Sequence, residues 1–109
     1  MKPEVVFALY RPNKGKEKEL EKIIANHYAT LHKYELVTDR TPIVVKSQDG
    51  TYIEIFEWVS SDASRKAHDQ PAIAKIWEAM GAIGDFDITL DQLPESKKRF
   101  SHFTPVSLE

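Results

Sequence analysis

The run Tyr52-Ile-Glu-Ile-Phe-Glu-Trp58 sets a carboxylate, Glu54, four residues before an indole, Trp58. In an extended backbone both point to one face, together with Tyr52 and Phe56. A carboxylate among aromatic rings can act as a base or a hydrogen-bond acceptor, and a Trp beside it offers a flat wall to a polycyclic compound. His68, shortly before Pro71, adds an imidazole that in its neutral form can bind a substrate oxygen or take a proton. Phe56, His27, Trp77 and Tyr28 are further candidates to line a ligand site, with Tyr10 and Arg11 at its rim. Each of these has a plainer reading. Trp58 and Glu54 would be a core Trp and an arginine-paired carboxylate, His68 a satisfied helix-end histidine, and His27 a core residue.

Other chemistries have little to stand on. The chain has no cysteine, which removes disulfides, thiolate nucleophiles, Cys-type zinc sites and cysteine-ligated iron–sulfur clusters. No His-x-x-x-His or Glu-x-x-His spacing occurs, so no metal is expected. Fifteen basic against seventeen acidic residues leave a net charge of −2 and no field to attract nucleic acid or anionic lipid. Lys97-Lys98-Arg99 is a short solvated charge run. Met1-Lys2-Pro3-Glu4 opens no signal-like apolar segment, and no apolar run approaches the ~20 residues of a membrane span. The expectation is a soluble, cytoplasmic protein with no nucleic-acid or membrane partner.

The elements that must position the candidate side chains follow from periodicity. At 109 residues and 41% hydrophobic, the chain suits one core. Val5 to Tyr10 reads as a strand closed by Pro12 and Gly15. Leu20, Ile23, Ile24, His27, Tyr28 and Leu31 form one stripe of an amphipathic helix. Ile43 to Val45 is a second strand, and Asp49-Gly50 is a hairpin signal leading into a third from Thr51 to Val59. That third strand is apolar on both faces, which calls for cover on both sides and suggests a partner subunit on one of them. Ser60 and Ser61 are N-cap candidates for a short helix, and Pro71 opens its continuation through Ile73, Ile76, Trp77 and Met80. Phe86, Ile88 and Leu90 alternate with Asp85, Asp87, Thr89 and Asp91, the pattern of a fourth strand with one wet face. The order βαββαβ predicts an α+β fold of ferredoxin-like type, with a four-stranded antiparallel sheet and both helices on one face. Residues 1–94 form the domain, and residues 95–109 a tail that docks on the body or a partner, or stays mobile.

The stretch from Tyr52 to Trp58, then Ser60-Ser-Asp-Ala63, Ala67-His68, Pro71, Ile73 and Trp77, resembles the dimeric α/β-barrel superfamily. Within it the chain is most similar to antibiotic biosynthesis monooxygenase (ABM)-like domains, over roughly residues 4 to 93. The resemblance implies a homodimer whose two sheets meet face to face, and a pocket between each sheet and its own helices for a small aromatic or apolar compound. It also implies cofactor-independent oxygenation, with Trp58 shaping the pocket and Glu54 or His68 taking a proton from a phenolic substrate. Glu54 stands where the quinol-forming members carry an Asn. Ala8, Ala67 and Trp77 stand where haem-degrading relatives carry Asn, Trp and His. A non-catalytic homodimeric binding or assembly module of the same fold is the alternative these departures favour, and a haem or metal binder a minor third.

Overall fold

The computed structural model describes residues 2–108, as an α+β chain with one antiparallel sheet. In chain order the elements are β1 (Glu4–Pro12), α1 (Glu17–Lys33), β2 (Ile43–Lys46), β3 (Tyr52–Trp58), α2 (Ala63–His68), α3 (Pro71–Ile83), β4 (Gly84–Asp85) and β5 (Thr104–Pro105). Short 3-10 turns occupy Leu90–Gln92 and Pro94–Lys97. The sheet runs β4-β1-β3-β2-β5. It has five strands where four are expected, because Val45 and Lys46 pair with Pro105 and Thr104 and so add β5 at the far edge.

Local chemistry accounts for the main elements. Gly15, at φ +84°, makes the turn into α1. Leu20, Ile24, His27 and Leu31 then form the buried stripe, with Glu17 and Glu19 at the first turn and His32 and Lys33 at the last, as the helix dipole favours. Gly50, at φ +89°, closes the β2–β3 hairpin, where Ser47 N–H donates to Thr51 C=O at 2.8 Å. β3 lies between β1 and β2, in register from Glu4↔Trp58 to Tyr10↔Tyr52. Gln70 is extended and Pro71 starts α3, so two helix segments meet at the predicted bend. The N-cap of α2 is Asp62, without a side-chain capping bond. Ser60 instead gives its carbonyl to Ala63 N–H at 3.1 Å.

The register sorts the sheet into two faces. Val6, Ala8, Tyr10, Tyr52, Glu54, Phe56 and Trp58 look toward the helices, where Leu20, Ile24, Ile73, Ile76 and Met80 meet them. On the opposite face Leu9, Ile53 and Leu93 form a second small core. The cover that β3 demands on this face is therefore supplied partly by the chain's own residues after β4. Val5, Phe7 and Ile43, about half exposed, remain uncovered there.

The fourth strand is much shorter than its alternation predicts. Pairing with β1 covers only Arg11↔Asp85 and Pro12↔Gly84. Asp85 Oδ1 then accepts Asp87 N–H at 2.9 Å, and Gln92 Oε1 accepts Thr89 N–H at 2.8 Å. Both amides are thus satisfied by side chains rather than by a ladder, and the segment leaves the sheet edge for the turn that carries Leu93. No helix among the described residues is long and apolar enough to cross a membrane.

Beyond Pro94 the chain is fastened to the body. Glu95 is 2% exposed and accepts Ser47 Oγ at 2.6 Å and Gln48 N–H at 2.8 Å, while Ser101 Oγ bonds its backbone carbonyl at 2.7 Å. Burial alone would raise the Glu95 carboxyl. The hydrogen bonds from Ser47, Gln48 and its own amide outweigh burial and hold it below the ordinary glutamate value. The unfolded chain therefore takes up this proton at higher pH than the folded one. The stability it confers is complete above the ordinary glutamate range and is lost as pH falls toward the folded-state value. Glu95→Gln is expected to lower the unfolding free energy at pH 7 by about 1–3 kcal/mol. The gap from wild type should close below about pH 4. Urea titrations at the two pH values check this, and a gap that does not vary with pH counts against it.

Candidate functional site

A cavity of about 290 Å³ opens between β1 and the helices. Its wall is mainly aromatic. Phe56 and Trp58 come from β3, Trp77 from α3 and Phe86 from the segment after β4, with His27 and His68 as the imidazoles. Five consecutive β1 residues, Val6 to Tyr10, form one side. The rings pack edge to face: Phe56 and Trp58 at 5.0 Å and 74°, His27 and Phe56 at 5.9 Å and 86°, His68 and Trp77 at 4.6 Å and 68°.

Behind this wall runs a chain of buried polar contacts. Tyr10 Oη donates to Glu54 Oε1 at 2.7 Å. His27 Nδ1 lies 2.9 Å from Oε1 and 3.1 Å from Oε2 of the same carboxylate. Trp77 Nε1 donates to His27 Nε2 at 2.9 Å. Four elements contribute one residue each: β1, α1, β3 and α3. His27 reaches the sheet because it sits on the buried stripe of α1, and the Ala8↔Glu54 pairing sets a small side chain beside the carboxylate.

The last contact fixes the state of the ring. An indole N–H can only donate, so His27 Nε2 must present its lone pair. The imidazole proton then belongs on Nδ1, where Glu54 accepts it, as in a carboxylate–histidine pair that holds one tautomer. Tyr10 is held protonated well above the ordinary phenol range, first by burial, then by the Glu54 charge and the hydrogen bond to it. Among the described residues no buried side-chain nitrogen or oxygen lacks a partner.

The structure brings most of the candidate side chains together. Phe56, Trp58, His27, Trp77 and His68 all line the cavity. Glu54 is completely buried and meets the cavity through Tyr10 and His27, which both line it. His68 is exposed at the end of α2, against Trp77, with no hydrogen bond among the described residues. Tyr28 lies elsewhere. Its hydroxyl donates to the carbonyls of Thr38 and Arg40, at 2.9 and 3.2 Å, and so anchors the loop before β2. Arg11 also turns away, toward Thr51 and Asp49. Tyr10 is more central than a rim residue, and its shared strand parity with Ala8 is the signal that could have placed it facing Glu54. Among the described residues no three His, Asp or Glu side chains gather as a metal-binding group.

No family profile matches the chain, and no characterised protein or solved structure shows significant similarity to it.

Two outcomes test that geometry. Long-range proton–nitrogen NMR of the folded protein is expected to show His27 protonated on Nδ1, and an Nε2-protonated ring is incompatible with the Trp77 contact. His27→Leu removes the Nδ1 donor from the buried Glu54 carboxylate and leaves the Trp77 indole N–H unpaired, and should cost about 2–3 kcal/mol of stability. Tyr10→Phe, which removes one neutral donor, should cost about 1–2 kcal/mol by the same chemical denaturation.

Proposed function

We propose that the chain binds a small aromatic or apolar compound in the cavity between sheet and helices. The observation that carries this reading is the cavity itself: about 290 Å³, walled by Phe56, Trp58, Trp77 and Phe86, with imidazoles as its polar groups. That volume sits at the low end of ligand sites, about 300–1,000 Å³, and suits a flat molecule of few rings. A phenolic oxygen of such a ligand would find its partner in His68, whose ring nitrogens are unengaged at the mouth.

The reaction we put forward is oxygenation of an electron-rich phenol without metal or flavin, as the resemblance to ABM-like domains implies. The deprotonated ring reduces O₂: one oxygen atom enters as a new ring carbonyl, and the other leaves as water with the hydrogen of that carbon and the phenolic hydrogen. The phenol ends as a quinone, so the substrate itself supplies all the electrons. His68 is the group placed to take the phenolic proton. Glu54, sealed behind His27, acts as a positioning residue that holds His27 in one tautomer. A specific observation favours the alternative of a non-catalytic binding module. Both nitrogens of His27 are already hydrogen-bonded, so the best-oriented imidazole has no free lone pair.

The finer reading of the fold belongs here too. The order β4-β1-β3-β2 supports a ferredoxin-like core to which β5 is added. Val5, Phe7 and Ile43, 48 to 57% exposed on the uncovered sheet face, support a homodimer of the dimeric α/β-barrel kind.

Both tryptophans of the chain line the cavity, so intrinsic fluorescence reports directly on occupancy. Titration with 1-naphthol is expected to quench it saturably, and His68→Ala to weaken binding about tenfold, the value of one lost hydrogen bond. If 1,4-naphthohydroquinone under O₂ turns over no faster than in buffer while binding persists, the module reading stands and the enzyme reading falls. Sedimentation should give twice the 12.5 kDa chain mass, and Phe7→Glu should return it to the monomer. A monomeric wild type would remove the dimer.

A further inference from the structure

The edge of β1 that faces the cavity is open. β1 pairs with β3 along Glu4 to Tyr10, but on its other side β4 reaches only Arg11 and Pro12. Pro12↔Gly84 is a non-hydrogen-bonded pair, so the bonds that close it come from its neighbours. Asn13 N–H donates to Ile83 C=O at 2.7 Å. Arg11 and Asn13 therefore turn their main-chain groups toward β4, and strand alternation turns those of Leu9 and Phe7 the same way. No strand among the described residues meets them. This explains how Phe7 and Leu9 can line a cavity on the helix side while their side chains point to the opposite face.

The segment just beyond β4 has the complementary deficits. Phe86 and Leu90 are 50% and 49% exposed. Continuing the register Arg11↔Asp85 would set Asp87 opposite Leu9 and Thr89 opposite Phe7. The amides this needs, Asp87 N–H and Thr89 N–H, are the two now held by the side chains of Asp85 and Gln92. In that register Phe86 would stand beside Tyr10 and Ile88 beside Ala8, on the face that looks into the cavity. Asp87 and Thr89 would look the other way. With Phe86 to Thr89 in that register, the four Cα steps from Thr89 to Leu93 span roughly 13 Å when extended, enough to turn back from Phe7 to Leu9 while Leu93 stays docked on Leu9 and Ile53.

We propose that residues 86–89 are a strap that zips onto the open edge of β1 and fills the ligand cavity with Phe86 and Ile88. The described structure is its open state. Closing breaks the two side-chain hydrogen bonds and the backbone bonds of the Leu90–Gln92 turn and draws Ile88 off the Leu9, Ile53 and Leu93 core. It also forms up to four ladder bonds and buries the half-exposed Phe86 ring, so gains and losses between the two states offset. A ligand in the cavity selects the open one, because ligand and strap compete for the same space. Asp85 and Gln92 are the latches that hold the strap off. The effect on binding rests on the proposed ligand site, whereas the motion itself does not.

The absence of cysteine makes the test direct. In the closed register Ala8 and Ile88 form a non-hydrogen-bonded pair with Cα atoms about 4.5 Å apart, within disulfide reach. The double variant Ala8→Cys/Ile88→Cys is expected to oxidise to an intramolecular disulfide, while Ala8→Cys/Asp87→Cys, with its second thiol on the other face, stays reduced. The oxidised first variant should bind 1-naphthol at least tenfold more weakly and recover on reduction. Equal cross-linking of both pairs, cross-linking of neither, or a disulfide that leaves binding unchanged overturns the strap. Hydrogen exchange gives a second measure without cysteines. Asp85→Ala/Gln92→Ala should slow exchange of the Phe7 and Leu9 amides about tenfold and leave Ala8 unaffected, and unchanged rates at Phe7 and Leu9 also overturn it. If 1-naphthol fails to bind even the wild type, the ligand reading falls, and the cross-link and exchange rates still decide the strap.

Discussion

A fully buried carboxylate constrains the rest of this molecule. Glu54 sits on the central strand, with no access to water. An ionised group in such a place is tolerated only if its oxygens are satisfied by donors held in good geometry. The donors here come from β1 and α1, and the ring that donates from α1 is itself met by an indole from α3. One carboxylate thus ties both long helices to the centre of the sheet. Shifting α1 along its axis by one residue would swing His27 by about 100° and leave Glu54 unpaired.

The same chain of contacts explains why space remains in front of it. Apolar side chains collapse onto one another and close gaps, whereas a hydrogen-bonded series holds its members at fixed separations. Trp77 is held by its indole nitrogen to His27 and by its ring edge to His68. It cannot relax toward β1, where Val6 and Ala8 are small. The cavity is bounded by a rigid polar frame on one side and an open strand edge on the other, rather than by a packing defect.

Most of the scaffold was legible in the sequence because periodicity reports burial. The stripe Leu20, Ile24, His27, Leu31 and the alternation in β3 correspond to the observed buried faces. That His27, Phe56, Trp58 and Trp77 line the cavity was legible for the same reason, since each lies on a face that must look inward. The partnership of Tyr10 with Glu54 was not, because it joins residues 44 apart and depends on which strands become neighbours. Tyr28 misled because it shares the stripe of α1 but lies about 100° round the helix from His27, at the side of the stripe, where its hydroxyl finds loop carbonyls. The strand expected from Phe86 to Leu90 has the right alternation. Side-chain acceptors two and three residues away took its amides, and a two-state hydrophobic pattern does not register that competition. Cover for the second face of β3 was likewise assigned to a partner, although Leu93 supplies part of it from within the chain.

The position of Trp77 depends on Gly84. α3 runs into β4 without a loop, and a Cβ at Gly84 would stand 2.6 Å from the Arg11 carbonyl oxygen and 3.0 Å from Pro12 Cα. Its φ of −175° is ordinary extended backbone, so the requirement is for closeness and not for an unusual conformation. That contact pins the C-terminal end of α3 against β1. Trp77, seven residues earlier, lies about two helical turns, roughly 10 Å, back along the axis, at the level of His27. A side chain at position 84 would push the end of α3 off the sheet and draw the indole away from the imidazole it caps. The tautomer of a histidine on α1 is thus set by how closely two backbones approach at the other end of α3.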